Sequence, residues 1–175
     1  MLRAVLPRLF PDGEVQFRYI PFQGKQDLER QLVRRLRGYA NPKARFVIIR
    51  DQDANPNCKE IKRRLVDLCI QAGKPDALVR IACKEVESFY LADLNAVELG
   101  LDIKGLAKQQ QSKKFRAPDY LGSPAKELGT LTHGKYQKVG GSRQIGKYLD
   151  IANVRSESFR QLITGICRLA TFENT

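Results

Sequence analysis

Four carboxylates sit in two short motifs, Asp51 and Asp53 in Arg50-Asp51-Gln52-Asp53 and Glu85 and Glu87 in Lys84-Glu85-Val86-Glu87. In extended chain, side chains at i and i+2 point the same way, so Asp51 and Asp53 are expected to face one point. Two carboxylates at one point repel unless a cation or a proton lies between them. Oxygen-only ligands select a hard ion, Mg²⁺ or Mn²⁺. Helix capping is the competing explanation. Asn57 with Glu60 has the form of a capping pair for the next helix, which accounts for Asn57 and leaves the two aspartates over. A calcium loop fails where it needs glycine and a bidentate glutamate, because Pro56 and Lys62 stand there. For Glu87 the competing explanation is the first turn of a helix, which favours negative charge.

The elements around these motifs decide where they lie. Phe46 to Ile49 is a short apolar run without helical period and reads as a strand buried on both faces. The aspartates therefore fall at its carboxyl end, the edge at which open α/β sheets bind ligands. Ala77 to Cys83 reads as a second buried strand, which brings Glu85 and Glu87 to the same edge. Glu14 to Phe22 alternates through Val15, Phe17 and Tyr19 and reads as a third strand. Helices are expected over 26–39, with Leu28, Leu32, Val33 and Leu36 inward, and over 57–72, with Ile61, Leu65, Leu68, Cys69 and Ala72 inward. Strands alternating with helices of that length predict an α/β fold with a parallel sheet covered on both faces.

Elsewhere, Leu2 to Phe10 has helical spacing interrupted by Pro7. A helix is expected to begin close to Phe89 and run to Leu99. Residues 104–120 read as a basic loop with little periodicity. Helices are expected over 123–131, with Pro124 at the first position, over 142–149, and over 156–170, with Ser156 and Ser158 as caps. His133, beside a glycine, reads as an exposed turn residue rather than a catalytic one.

Composition narrows the partners. Lys and Arg number 31 against 19 acidic residues, a formal charge of +12, which points to a polyanion. Nucleic acid is favoured over a membrane surface, because no basic amphipathic anchor and no membrane-length apolar stretch occurs. The candidate phosphate contacts are Arg34, Arg35, Lys113, Lys114, Lys135 and Lys138, with Lys25, which follows a glycine at a strand-to-helix turn where backbone N–H groups favour phosphate. Four separated cysteines and a single histidine argue against zinc and accord with a reducing, cytoplasmic setting.

These pieces together resemble a Toprim-type domain, and more closely the bacterial domain-of-unknown-function family 4276, related to RloB-like phage-defence proteins. The residues that carry the likeness are Pro21-Phe22-Gln23-Gly24-Lys25-Gln26-Asp27-Leu28, then Arg50-Asp51-Gln52-Asp53, then Glu85-Val86-Glu87-Ser88-Phe89-Tyr90-Leu91-Ala92-Asp93. Lys138, Gly140-Gly141 and Arg155-Ser156-Glu157-Ser158-Phe159 extend it nearly to the end. The resemblance implies a Toprim-like (Rossmann-like) core over 1–93 and a mainly helical extension over 94–175 packed on it. It implies Mg²⁺-dependent phosphodiester cleavage, with Asp51 and Asp53 as metal ligands, Glu87 as a further acidic ligand, and Glu85 or Glu87 as catalytic acid or base. Nucleic acid and a protein from the same operon are the implied partners. The departure from the Toprim pattern is at the start. Residue 1 already lies in what resembles the helix after the first Toprim strand, so that strand and its glutamate are missing, and Glu14 lies at the wrong edge to replace it. The missing strand would lie beside 45–50 and leave two unpaired edges. The expectation follows that the coding sequence continues upstream in frame; the alternative is an inactive nucleic-acid-binding member.

Overall fold

The computed structural model describes residues 1–13 and 15–171. Two parallel strands form its only sheet among these residues, β1 (Val47–Asp51) and β2 (Leu78–Ala82), with Val47 opposite Leu78 and Asp51 opposite Ala82. The helices are α1 (Leu2–Leu9), α2 (Lys25–Arg37), α3 (Cys58–Gln71), α4 (Glu87–Leu91), α5 (Leu94–Leu101), α6 (Pro124–Leu131), α7 (Lys138–Gly146) and α8 (Glu157–Thr171). The protein is thus a mixed α/β structure with a small parallel sheet flanked by helices.

The sheet separates two apolar clusters, as period-two alternation of a strand requires. On one face Ile48 and Val79 meet Leu28, Leu32 and Leu36 of α2 and Ile61, Leu65 and Cys69 of α3. On the other, Ile49, Leu78 and Ala82 meet a larger cluster drawn from α1 and α4 to α8. Both faces of β1 are therefore covered, as its unbroken apolar run requires. The helical caps follow local chemistry: the Asn57 side chain accepts from Glu60 N at 3.2 Å, and Ser156 Oγ accepts from Phe159 N at 3.1 Å.

Three expectations are corrected. Val15 to Phe22 forms no strand; Glu14, where that strand was expected to begin, lies outside the described residues. The alternation itself is real, since Val15, Phe17 and Tyr19 are half-buried while Gln16, Arg18 and Ile20 are exposed. What the segment lacks is a hydrogen-bonding neighbour: a cleft of about 1050 Å³ separates it from β1, and a strand needs a partner about 4.8 Å away. The single helix expected from Phe89 to Leu99 is two helices, because Asp93 turns inward and caps α5 through Ala96 N at 3.0 Å. The loop over 104–120 is pinned rather than loose. Its buried Gln110 accepts from Leu94 N at 2.6 Å and donates to Phe115 O at 3.0 Å and Leu91 O at 3.2 Å, so two short 3₁₀ turns (Ala107–Gln111 and Pro118–Tyr120) form around it. Boundaries also move, with α7 beginning four residues before the expected start at Ser142.

Helices α5 and α7 cross at close range. A Cβ on Gly100 would stand 2.7 Å from both Cα and N of Ile145, a backbone contact that no side-chain rotation can relieve. Gly100→Ala is expected to destabilise the protein by about 1–3 kcal/mol through overpacking, outweighing the roughly 1 kcal/mol that alanine gains over glycine in a helix. Urea unfolding measures it; a variant as stable as the wild type would show that the crossing yields freely.

Candidate functional site

The carboxyl ends of β1 and β2 are tied together beyond the last strand residues. Gln52 N donates to Ala82 O at 3.0 Å and Asp53 N to Lys84 O at 2.6 Å. The Gln52 side chain, 8% exposed, accepts from Lys84 N at 3.3 Å and donates to Asn55 O at 2.7 Å. The middle residue of the aspartate pair is therefore structural: it holds both loops at one edge. Asp53 has φ +56° and Lys84 φ +59°, so the chain leaves extended geometry here and the i, i+2 rule does not by itself aim Asp53.

Each of the four acidic side chains has found a donor in the protein. Asp51 Oδ1 accepts from Val86 N at 3.0 Å. Asp53 Oδ2 pairs with Lys25 Nζ at 3.0 Å, in an exposed salt bridge. Glu85 Oε2 accepts from Ala125 N at 2.8 Å, in the first turn of α6, where the Ser123 side chain makes no capping bond. Glu85 thus does a cap's work. Glu87, in the first turn of α4 and only 2% exposed, accepts from the Tyr136 hydroxyl at 2.9 Å. That hydroxyl lies 3.1 Å from Ser142 Oγ.

The charges of Glu87, Asp53 and Glu85 all reach Asp51. The Asp51 pKa is pushed up to about 6, first by burial, then by the charge on Glu87, with smaller contributions from Asp53 and Glu85 that the Val86 N–H bond opposes. Burial also raises the phenols of Tyr90 and Tyr136, and the Glu87 charge adds to both. The Tyr90 hydroxyl is fully buried, with Ser142 and the charges of Glu87 and Asp51 within its reach. A cleft of about 570 Å³ opens at Asp51, Asp53, Lys25 and Gly24. Among the described residues, no three His, Cys, Asp or Glu side chains converge as a metal cage.

The basic candidates divide. Lys25, the first residue of α2, is at the site. Lys135 and Lys138 flank Tyr136 in sequence, and Lys135 Nζ donates to Asp102 O at 3.3 Å. Lys114 pairs with Glu127 of α6, the helix that Glu85 caps, and Lys113 beside it is exposed. None of Lys113, Lys114, Lys135 and Lys138 lines the cleft at Asp51 and Asp53. Along α2, Arg34 and Arg35 lie roughly 14 Å beyond Lys25 at 1.5 Å per residue, and Arg35 lines the larger apolar cleft. His133 is an exposed turn residue with φ +50°. Tyr136, Ser142 and Tyr90 carried no local signal of a role; Tyr136 reaches Glu87 across 49 positions, which no spacing rule reveals. No described helix is long and apolar enough to cross a membrane.

The family model described as "Domain of unknown function (DUF4276)" matches residues 1–167. No curated protein and no solved structure matches the chain.

The raised Asp51 pKa has a signed consequence for the metal-free protein. Because the folded value of about 6 lies above the ordinary 3.8, protonation favours the fold. That contribution is fully present below about pH 4 and is lost as pH rises through about 6, a difference on the order of 3 kcal/mol. Asp51→Asn keeps an acceptor for Val86 N–H and removes the charge. In EDTA it is expected to melt above the wild type at pH 8 and to lose the decline between pH 4 and 6. Parallel melting temperatures for the two proteins across that range would contradict the buried repulsion.

Proposed function

The chain belongs to the DUF4276 family, and from its acidic site we propose that it is a Toprim-like, Mg²⁺- or Mn²⁺-dependent protein that cleaves phosphodiester bonds in nucleic acid. The observation that carries this reading is the gathering of Asp51, Asp53, Glu85 and Glu87 at the carboxyl edge of a parallel strand pair, where burial first and the Glu87 charge second push the Asp51 pKa up to about 6. Carboxylates gathered at such cost are what a hard cation relieves. The donor type suits such an ion, since all candidate ligands are carboxylate oxygens. Asp51, Asp53 and Glu87 would hold the ion; when bound it would neutralise charge on phosphate oxygens and lower the pKa of a water.

The chain's own groups divide the remaining work. Lys25 stands 3.0 Å from Asp53 and supplies a cation to a phosphate entering the 570 Å³ cleft. Tyr136 fixes the rotamer of Glu87, and Val86 N–H fixes that of Asp51. Glu85 is engaged with the first turn of α6 and acts on the site by holding that helix beside it. The net charge of +12 accords with a polyanionic substrate. A cytoplasmic place, a part in phage defence and a partner protein from the same operon follow from the resemblance to RloB-like proteins.

A second reading is an inactive nucleic-acid-binding or regulatory protein. It is favoured by the donor already present on each of the four carboxylates and by the absence, among the described residues, of a converged cage.

Asp51→Asn with Asp53→Asn separates the two. The wild type is expected to melt higher as Mn²⁺ is added, by the equivalent of about 2.7 kcal/mol at a hundredfold excess over the dissociation constant, and the double variant is expected not to respond. The Asn57 cap is untouched by either change. Identical, ion-independent calorimetric curves would remove the metal reading.

Nucleic-acid affinity is expected to fall with salt, each neutralised phosphate of a duplex adding about −0.9 to the log–log slope. Substituting Lys113, Lys135 or Lys138 by alanine should each shallow that slope, whereas Arg34→Ala, remote from the site, should leave it nearly unchanged. Salt-independent affinity would exclude an electrostatic partner.

A further inference from the structure

Tyr120 is the most exposed large apolar side chain among the described residues, at 88%. Its backbone is nevertheless held firmly. Tyr120 N donates to Ala117 O at 3.2 Å and Leu121 N to Pro118 O at 3.1 Å, closing the 3₁₀ turn Pro118–Tyr120 over the buried Pro118. The neighbouring Asp119 is turned inward, where it accepts from Ser156 Oγ at 2.7 Å and from Ser158 N at 2.9 Å. Ser158 Oγ in turn accepts at 3.3 Å from the backbone N–H of Cys83, the residue that follows β2. Farther along, Ala125 N is bonded to Glu85. Residues 119–125 are thus fastened at both ends to the carboxyl edge of the sheet, with the Tyr120 ring left in solvent between the fastenings.

A solitary exposed aromatic needs no explanation in itself; this one stands beside unpaired cations. Arg116 leads into the turn, and Arg155 is brought next to it by the bond between Asp119 and Ser156. Both arginines are exposed, and neither enters an ion pair among the described residues. The acidic groups closest in sequence are engaged elsewhere, Asp119 with the two serines and Glu157 with Arg160. Val154, 71% exposed, adds apolar surface next to Arg155. The apolar part of this patch is small beside its charge, which is the reverse of the apolar core of a protein interface. A fixed aromatic face with guanidinium groups on either side suits a single nucleic-acid strand, which lays a base on the ring and its phosphates on the cations. A duplex cannot use the ring, because its bases are already stacked and paired.

We propose that Tyr120 is a stacking platform for an unpaired base, with Arg116 and Arg155 on the adjoining phosphates, so that the nucleic acid delivered to the acidic edge is single-stranded. The inference rests on the nucleic-acid part of the proposed function and not on the metal. Stacking accepts every base, so Tyr120 contributes affinity and position without reading sequence. The chain from Tyr120 to Ala125 spans at most about 18 Å, and Ala125 N stands 2.8 Å from Glu85. That reach is about five nucleotides at the rise of about 3.4 Å of a stacked strand. A strand held at Tyr120 therefore meets the acidic loops within a few nucleotides.

The chain contains no tryptophan, so Tyr120→Trp introduces a single fluorescent reporter at the platform. The test titrates the full chain, without added metal, with a dodecathymidylate and with its duplex with oligodeoxyadenylate. The wild type, Tyr120→Phe and Tyr120→Trp are expected to bind the single strand alike, and the Tyr120→Trp emission to be quenched as the strand saturates. Tyr120→Ala should weaken single-strand binding by about tenfold at an unchanged salt slope, and should leave duplex binding as it was. Arg116→Ala and Arg155→Ala should each shallow the single-strand slope by about 0.7. Equal single-strand affinity of Tyr120→Ala and the wild type, or an unquenched Tyr120→Trp, overturns the proposal and leaves the nucleic-acid reading standing. Absence of binding to either oligonucleotide overturns both. Tyr120→Trp emission that shifts to the blue with protein concentration alone also overturns the proposal, since the ring is then buried between copies of this chain.

Discussion

The structure depends on one constraint: the ends of β1 and β2 must stay together after the strands themselves stop. Two parallel strands of five residues make a small ladder, and the loops that leave them carry four carboxylates into the same space. Gln52 resolves this by serving both loops, through its backbone to Ala82 and through its side chain to Lys84 and Asn55. The acidic residues are then close by construction. Each needs a donor, and the donors come from parts of the chain far removed: Val86 from the adjacent loop, Ala125 from α6, Tyr136 from the turn before α7, Lys25 from α2. The helices of the C-terminal half are in that sense recruited by the charge at the sheet edge as well as by the apolar cluster beneath it.

The same edge explains why Asp51 and Glu85, both acidic and both beside the strands, differ. Glu85 meets the first-turn amide of an eight-residue helix, where negative charge is welcome. Asp51 has one backbone N–H and three acidic neighbours, and burial penalises its ionised form. The strain at the site is concentrated on Asp51, with Glu87 its strongest repelling neighbour. Tyr136 compensates Glu87 by a hydrogen bond, and a neutral phenol is suited to that because it brings no charge into the interior.

Much of this was legible in the sequence, for local reasons. The apolar runs at 46–49 and 77–83 specified β1 and β2 because strands buried on both faces have no polar alternative, and the i, i+3, i+4 stripes of α2 and α3 specified the faces they bury. Asn57 and Ser156 announced their caps. The acidic residues were found because two strand ends coincide at one edge in any parallel pair. What escaped was non-local. The alternation over Val15 to Tyr19 is a statement about burial, which the structure keeps, and not about pairing, which needs a neighbour the segment does not have. Tyr136 has no local signal, because its partner Glu87 lies 49 positions away. Gln110 stood in a run of three glutamines that reads as a solvated loop, yet its amide organises the whole connection between α5 and α6.

The contacts of α1 carry a consequence for how the protein is made. Arg8 donates to Gly146 O at 3.2 Å and to Leu149 O at 2.9 Å, closing a loop of nearly the entire chain. A ribosome adding about 5–20 residues per second needs on the order of ten seconds to supply α7 after α1 has emerged. Throughout that interval Val5 and Leu6, fully buried in the finished protein, have no helix to lie against, and the β1 edge is exposed as soon as it is synthesised. A nascent chain in this state presents apolar helix and open strand together, the features that molecular chaperones grip.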